Sequence, residues 1–344
     1  MELMTKRQVI IIGAGPAGLA LGYHLQQAGI DYLILEQNDA AGSSWNAMPD
    51  HLSLITQWHS NNLIDEDLPL FERSKSHSAK EFSAYLRDFA RHRALSISYR
   101  VKVKKVSREK QFFYIETDMG IYRSEVVVDC RGYFNFPYTP SFPVVGSPPL
   151  MLHFKDYRNT RDVEGRKNIL IVGKRLSAGQ LVRELSAVKK HKLFLATRSP
   201  IKYSSRPFVY NFFLRHLGIL EKIIKKMKIN IKAEIDVPME FSVKNIVEKE
   251  VQIRGEIKRI ENHDVFFSDG HKEEIDAIIF ATGFHPPVED LGDDFESKST
   301  PGLYYLGRSG QRSFTSRFIR GIREDAPELC KLIAEKLSLS IKDQ

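Results

Sequence analysis

The sequence has little cysteine and no long apolar run, and each scarcity excludes a class of protein. Its 344 residues include two cysteines, Cys130 and Cys330, too few and too far apart for a disulfide framework or a cysteine metal motif. No apolar run approaches the roughly 18 residues of a membrane-spanning helix. The run from Val9 to Ile12 is also too short for a secretory signal. We therefore expect a cytoplasmic protein without a metal site.

The charge balance is basic, because 51 Lys and Arg residues against 43 Asp and Glu residues leave a net charge of +8. This balance favours an anionic partner such as a nucleotide, a nucleic acid or a lipid surface. No zinc-finger spacing or RNA-binding aromatic motif occurs, so we expect a phosphate-bearing cofactor and no nucleic-acid partner. The length predicts two domains.

Near the N-terminus the pattern is strand, glycine-rich turn, helix and strand, written QVIII, GAGPAG, LALGYHLQQAG and YLILE. Gly13 permits the tight turn, Gly15 lets a pyrophosphate approach the backbone, and Gly18 lets the helix pack on the strand. Glu36 follows the second strand, where a carboxylate accepts hydrogen bonds from ribose hydroxyls and repels a 2′-phosphate. This βαβ unit therefore suits FAD or NAD rather than NADP.

The same pattern returns in NILIVGKRLSAGQLVRELSAVKKHKLFLATR. Arg175 stands where the second glycine is expected, and its side chain either folds outward to clamp phosphate oxygens or blocks the site. Arg198, taken as the position matching Glu36, is suited to a 2′-phosphate and favours NADPH. The predicted NADP-binding residues are Gly173, Arg175, Ser177, Ala178 and Arg198.

Three further segments resemble hallmarks of the flavin-containing monooxygenase family, the class B flavoprotein monooxygenases. AAGSSW, residues 40–45, resembles a Gly-Gly-x-Trp segment, with Ser43 in place of the second glycine. IIFATGF, residues 278–284, resembles the Ala-Thr-Gly segment at which the chain re-enters the FAD domain. DCRGYFNFP, residues 129–137, is similar to the earlier Ala-Thr-Gly crossing, with Arg131 replacing threonine. The likeness runs from about residue 9 to residue 334.

The resemblance implies FAD on the first unit and NADPH on the second. It implies that NADPH reduces the flavin, that oxygen forms a flavin peroxide, and that one oxygen atom reaches a small-molecule substrate. It also implies that Asn61 lies beside the flavin ring, the alternative being a structural Asx-turn, and that His153 and Tyr157 echo a family fingerprint. The predicted FAD-binding residues are Gly13, Gly15, Pro16, Ala17, Gly18, Glu36, Gly42, Ser44, Trp45, Val103 and Gly283.

These patterns predict an α/β fold of two Rossmann-like three-layer domains, with the NADP domain inserted into a discontinuous FAD domain. The predicted limits are 1–150 and 266–344 for the FAD domain and 151–265 for the NADP domain. The basic segment 214–232 is a candidate for a packed helix or a lid over the substrate entrance. Peripheral contact with anionic lipid is a less favoured alternative.

Two other functions are compatible with the sequence. One is an NAD(P)H:acceptor oxidoreductase of the quinone-reducing type, and the other is an FAD-binding protein without NADPH turnover, which Arg175 keeps open. A redox-disulfide reductase is disfavoured, because the sequence has no Cys-x-x-Cys pair. In addition, Arg308 stands where those reductases carry the Asp of a Gly-Asp pair.

Overall fold

The computed structural model of the protein describes residues 5–57, 60–67, 76–204, 237–285, 290–292, 295–309, 311–313 and 315–342. The helices are α1 (Pro16–Gln27), α2 (Ser43–Asn46), α3 (Ala79–His92), α4 (Leu176–Val188), α5 (Lys244–Glu250) and α6 (Ile319–Lys342). The strands are β1 (Thr5–Ile12), β2 (Tyr32–Leu35), β3 (Ser53–Gln57), β4 (Ser76–Ser78), β5 (Ile97–Ser98), β6 (Val103–Glu109), β7 (Phe112–Thr117), β8 (Gly120–Asp129), β9 (Val144–Val145), β10 (Leu150–His153), β11 (Asn168–Val172), β12 (Lys192–Ala196), β13 (Val251–Arg254), β14 (Ile257–Glu261), β15 (Asp264–Phe267), β16 (Lys272–Glu274), β17 (Ala277–Phe280) and β18 (Leu303–Tyr305).

The first sheet has the order β5-β2-β1-β8, with all four strands parallel. Beyond β8, the second half of that strand pairs with β18 in parallel, and its first half pairs antiparallel with β7, which pairs with β6. Residues 9–12 of β1 are buried on both faces, as the continuous apolar run predicts. Helices α1 and α6 pack on one face, in a shared apolar cluster that includes Leu19, Leu25, Leu329 and Ile333.

The second sheet has the order β10-β17-β11-β12-β13, and every pair in it is parallel. Beside it lies a smaller sheet of β16, β15 and β14, with β9 added in parallel to β14. The two parallel sheets confirm the predicted fold class of two Rossmann-like units.

The predicted domain limits differ from this pairing at two places. Residues up to 150 were assigned to the FAD domain, but strand β9 pairs with β14 beside the second sheet. Residues from 266 onward were also assigned to the FAD domain, but strand β17 lies between β10 and β11 in the second sheet. The apolar run in β17 is buried because it is an inner strand of the second sheet. The chain therefore rejoins the first sheet only at β18.

Two segments connect the units and run side by side. The outgoing segment, 130–138, and the returning segment, 281–285, are joined where the Tyr138 N–H donates to the Gly283 carbonyl at 3.0 Å and the His285 N–H to the Phe136 carbonyl at 2.9 Å. These two motifs, predicted to be crossings, therefore form one two-stranded connection.

The predicted basic helix or lid at 214–232 lies outside the described residues. Within the described part of the chain, no helix is both long and apolar enough to cross a bilayer.

Candidate functional site: two dinucleotide turns

The glycine turn of the first unit has three glycines, and close packing explains two of them but not Gly15. Gly13 has φ +103°, and a Cβ on Gly18 would lie 2.0 Å from the Gly13 carbonyl oxygen, so the local fold requires both glycines. A Cβ on Gly15 would meet no protein atom within 4 Å. Open space beside a residue that caps a helix is what an approaching pyrophosphate requires.

Helix α1 presents a suitable end to that space. It begins with Pro16, followed by Ala17, and has neither a capping side chain nor an acidic residue in its first turn. Because the first N–H groups of a helix have no partner within it, they and the positive end of the helix favour an anion here.

Glu36 is buried beside the same turn and is held by three hydrogen bonds. Its Oε2 accepts the Ala14 N–H at 2.8 Å, and its Oε1 accepts the backbone N–H and the side-chain amide of Asn38 at 2.9 and 2.7 Å. A fixed carboxylate at this position suits the ribose hydroxyls of a dinucleotide without a 2′-phosphate. The residues present therefore fit the adenosine half of FAD.

The segment that resembles Gly-Gly-x-Trp is bonded to this turn. The Gly42 N–H donates to the Ala14 carbonyl at 2.9 Å, and Gly42 has φ +70°. Ser43 begins helix α2, so the replaced glycine position needs no positive φ. The predicted contacts Gly42, Ser44 and Trp45 thus lie on a short element beside the first unit's turn.

Val103 stays a predicted FAD contact. It is the first residue of β6 and packs on the apolar cluster at the other face of the first sheet. Two residues earlier, the Val101 N–H donates to the Glu36 carbonyl at 2.9 Å. This bond joins the segment before β6 to the strand end that carries Glu36.

The second unit repeats the turn with a one-residue difference from the predicted alignment. The Gly173 N–H donates to the Ala196 carbonyl at 3.1 Å, as the Gly13 N–H donates to the Leu35 carbonyl at 2.8 Å. The residue that matches Glu36 is therefore Thr197. The prediction that Arg198 occupies the matching position is wrong by one residue, because β12 ends at Ala196.

Arg198 nevertheless lies at the same edge of the second sheet. Its side chain is 63% exposed, and its Nε lies 3.4 Å from Glu256 Oε2. Beside it, the Lys174 ammonium donates to the Ser199 hydroxyl. Sequence reasoning missed Lys174, Ser199 and Glu256, since no motif links them.

Arg175 caps helix α4 and is exposed. Its carbonyl accepts the Gly179 N–H at 3.1 Å, and its backbone forms a bridge with Pro238. Ser177 and the buried Ala178 lie in the first turn of α4, which has no capping side chain and no acidic residue. The N-terminal end of α4 thus offers the same anion-binding features as that of α1.

His153 connects the second sheet to the returning segment. Its Nε2 lies 3.0 Å from the Gly283 carbonyl, and its Nδ1 accepts the Lys155 N–H at 3.1 Å. This pattern puts the proton on Nε2. Burial lowers the pKa of His153, so the ring is neutral at neutral pH.

An aromatic path leads from the first unit to both connecting segments. The ring of Trp45 contacts that of Phe134 at 5.6 Å between centroids, Phe134 contacts Phe284 at 5.2 Å, and Phe284 contacts His153 at 5.1 Å. These edge-to-face contacts place apolar surface at the junction of the units.

A buried carboxylate explains two departures from the family pattern. Asp129, at the end of β8, is held by Arg308 at 3.2 Å and by the Arg131 Nε at 3.0 Å. Burial alone would raise the pKa of Asp129, but hydrogen bonds from Arg131 and the charge of Arg308 outweigh it and lower the pKa. The two arginines therefore serve one acid that joins the ends of β8 and β18.

Asn61 is buried, and both polar atoms of its side chain bond to Thr56 in strand β3. Its Oδ1 accepts the Thr56 hydroxyl at 2.5 Å, and its Nδ2 donates to the Thr56 carbonyl at 2.8 Å. These bonds fix the side chain of Asn61, and its place beside the flavin ring stays a prediction.

Both cysteines of the chain are buried. Burial raises the pKa of Cys130 well above its usual value and also raises the pKa of Cys330. A protonated, inaccessible thiol is a poor nucleophile, so neither cysteine has the features of a redox-active residue.

Two βαβ units, each with a glycine turn and a helix whose first turn has no capping side chain, give the architecture of proteins that bind two dinucleotides. The chain belongs to the pyridine nucleotide-disulphide oxidoreductase family, whose model it matches over residues 10–306. It is an enzyme of the flavin-dependent oxidoreductases, and its cofactors are FAD and a pyridine nucleotide, as predicted.

Individual proteins resemble the chain along nearly its whole length. The "Uncharacterized oxidoreductase CzcO" of Bacillus subtilis is 27% identical over 347 residues, which cover 94% of this chain and 97% of the relative. A flavin-containing monooxygenase from Stenotrophomonas maltophilia has a TM-score of 0.80 at 20% identity, covering 97% of this chain and 100% of its own. The bacillithiol disulfide reductase Bdr from Staphylococcus aureus has a TM-score of 0.74 at 17% identity, covering 97% and 99%.

Proposed function

We propose that the protein is an NADPH-dependent flavoprotein monooxygenase that binds FAD on its first unit and NADPH on its second and oxygenates a small molecule. The observation that carries the proposal is the contrast between the two strand ends. Glu36 accepts ribose hydroxyls and repels a 2′-phosphate, whereas Thr197 and Arg198 put a hydroxyl and a cation at the corresponding place.

When bound, FAD supplies hydride acceptance and reaction with oxygen, chemistry that no side chain provides. The chain's own residues bind and orient the two nucleotides. The N–H groups at the start of α1 and α4 hold the phosphates, and Glu36 fixes the first ribose. The aromatic side chains at the junction exclude water from the space between the units.

A second candidate is an NAD(P)H:acceptor oxidoreductase of the quinone-reducing type. It needs the same two nucleotide sites and a flavin reduced by the pyridine nucleotide, but no group that assists oxygenation. A flavoprotein without NADPH turnover is the remaining alternative. It applies if the side chain of Arg175 blocks the nucleotide site of the second unit rather than binding phosphate. A thiol-relay disulfide reductase is disfavoured by the burial of both cysteines.

Anaerobic mixing of the purified, FAD-loaded protein with NADPH or NADH tests the proposal. We expect a yellow protein whose flavin absorbance is bleached faster by NADPH than by NADH. A colourless protein that FAD does not reconstitute contradicts both enzyme candidates. Bleaching by neither nucleotide supports a flavoprotein without NADPH turnover.

A further inference from the structure

Three neighbouring strands bring four polar side chains to one edge of the second sheet. Lys174 follows β11, Arg198 and Ser199 follow β12, and Glu256 follows β13. Since these strands are parallel and adjacent, their carboxyl ends meet at the same edge. Ligands of open parallel sheets bind outside this edge.

The two units have different residues directly after the first glycine of the turn. In the first unit this residue is Ala14, whose N–H holds the Glu36 carboxylate at 2.8 Å. In the second unit it is Lys174, and the residue at the acid's position is Thr197. The second unit thus has a lysine where the first has an alanine, and a threonine where the first has a carboxylate.

The side chain of Lys174 is directed toward the end of β12. Its ammonium donates to the Ser199 hydroxyl, next to Arg198 in the chain. Among the described residues, Lys174 forms no ion pair with a carboxylate, whereas Arg198 pairs with Glu256. Of these two cations, Arg198 is therefore already paired with a carboxylate of the described residues and Lys174 is not.

Glu256 is shared between two cations. Its Oε2 lies 3.4 Å from Arg198 Nε, and its Oε1 lies 3.1 Å from Lys258 Nζ. Both pairs are exposed, and exposed pairs contribute little to stability. A phosphate dianion can therefore replace the carboxylate at Arg198 at small cost, although the charge of Glu256 opposes its approach.

We propose that Lys174 is the second cation that recognises the phosphate monoester on the adenosine ribose, and that Glu256 is the opposing charge that limits affinity for it. The inference rests on the proposed function, which places NADPH on the second unit. Lys174 and Ser199 supply donors for the phosphate oxygens beside Arg198, and Glu256 holds the Arg198 side chain when no phosphate is bound.

Calorimetric titration of the FAD-loaded full chain with adenosine 2′,5′-bisphosphate and with 5′-AMP tests the proposal without turnover. The two probes differ only in the 2′-phosphate. We expect Lys174→Gln to weaken binding of the bisphosphate by about tenfold, because one charge-assisted hydrogen bond is lost. The affinity for 5′-AMP should not change. Glu256→Gln should strengthen the bisphosphate by about two- to fivefold, because a repulsive exposed charge is removed.

The matched control is Lys190→Gln, which removes an exposed lysine beyond the other end of α4. It should leave both affinities unchanged, since the 13-residue helix separates it from the site by about 20 Å. Lys174→Ala, which removes the whole side chain, should repeat the result of Lys174→Gln. Flavin absorbance and circular dichroism confirm that each variant is folded.

The inference is overturned if the ratio of the two affinities, bisphosphate to 5′-AMP, is the same in the wild type and in Lys174→Gln. An equal loss of affinity for both probes in Lys174→Gln overturns it as well, because Lys174 then stabilises the glycine turn rather than binding the 2′-phosphate. Failure of the proposed function is a separate result. A protein that shows the Lys174-dependent preference for the bisphosphate but does not oxygenate keeps this inference and contradicts the monooxygenase.

Discussion

Replacement of Asp129 by Asn tests whether this buried carboxylate stabilises the fold by joining the ends of strands β8 and β18. Asp129 is 4% exposed and Arg308 is 3% exposed, so the variant removes a carboxylate charge that lies beside a guanidinium in the interior. The shape of the side chain is retained, while the change removes the charge and replaces one acceptor oxygen by an N–H donor that faces the arginines. The expected effect therefore comes from electrostatics rather than from a cavity.

Removal of one partner from a buried ion pair destabilises a protein by about 3–5 kcal/mol. We expect a loss in this range for Asp129→Asn. The control is Arg131→Gln, because Arg131 contacts the same carboxylate but its side chain is 44% exposed. Arg131→Gln leaves the Asp129–Arg308 pair in place, and water around the half-exposed Arg131 weakens its own pair, so the control should lose less.

The sign of the pH dependence follows from the lowered pKa of Asp129. Its pairing stabilises the folded state above the unfolded-state pKa of about 3.9, and the stabilisation is lost as the pH falls through the lower folded-state pKa. The difference in free energy of unfolding between wild type and variant should therefore be full at neutral pH and shrink in acid. Urea denaturation followed by circular dichroism and flavin fluorescence measures it. A loss below about 1 kcal/mol at pH 7, equal to that of the control, refutes the reasoning.

The remaining predictions concern the second unit and its connection. Arg198→Ala should narrow the preference for NADPH over NADH in anaerobic flavin reduction, since it removes a charge-assisted bond worth about 1.5–3 kcal/mol, and an unchanged ratio would show that the 2′-phosphate lies elsewhere. Arg175→Gly should weaken NADPH binding by about three- to tenfold if the exposed side chain clamps phosphate, whereas tighter binding in the same titration identifies it as a block. His153→Ala should cost about 1–3 kcal/mol in urea denaturation, because the Gly283 carbonyl loses a buried donor, and wild-type stability would contradict this role.

Both βαβ units were predictable because their signals are local. An apolar run, a glycine turn and an amphipathic helix within about 30 residues specify the unit without reference to the rest of the chain. The same holds for the carboxylate of Glu36, which immediately follows the buried strand β2. These short patterns predicted FAD or NAD on the first unit and favoured NADPH on the second, and the resemblance to the flavin-containing monooxygenase family implied FAD.

What the sequence did not reveal depends on pairing between distant segments. The run of β17 is equally apolar in either sheet, and only its register with β10 and β11 places it in the second. The position of Arg198 was displaced by one residue because the end of β12 is set by its neighbours. The pair of Asp129 and Arg308 joins residues 179 apart in sequence, a separation that no short motif reports.

Reoxidation of the NADPH-reduced protein by oxygen, followed by stopped-flow absorbance with and without NADP, tests the proposed activity most directly. A monooxygenase predicts that bound NADP delays the return of oxidised-flavin absorbance and divides it into two phases, with little hydrogen peroxide released before substrate is added. A single rapid phase that NADP does not alter, with one hydrogen peroxide formed for each flavin, would contradict oxygenation and support the acceptor oxidoreductase.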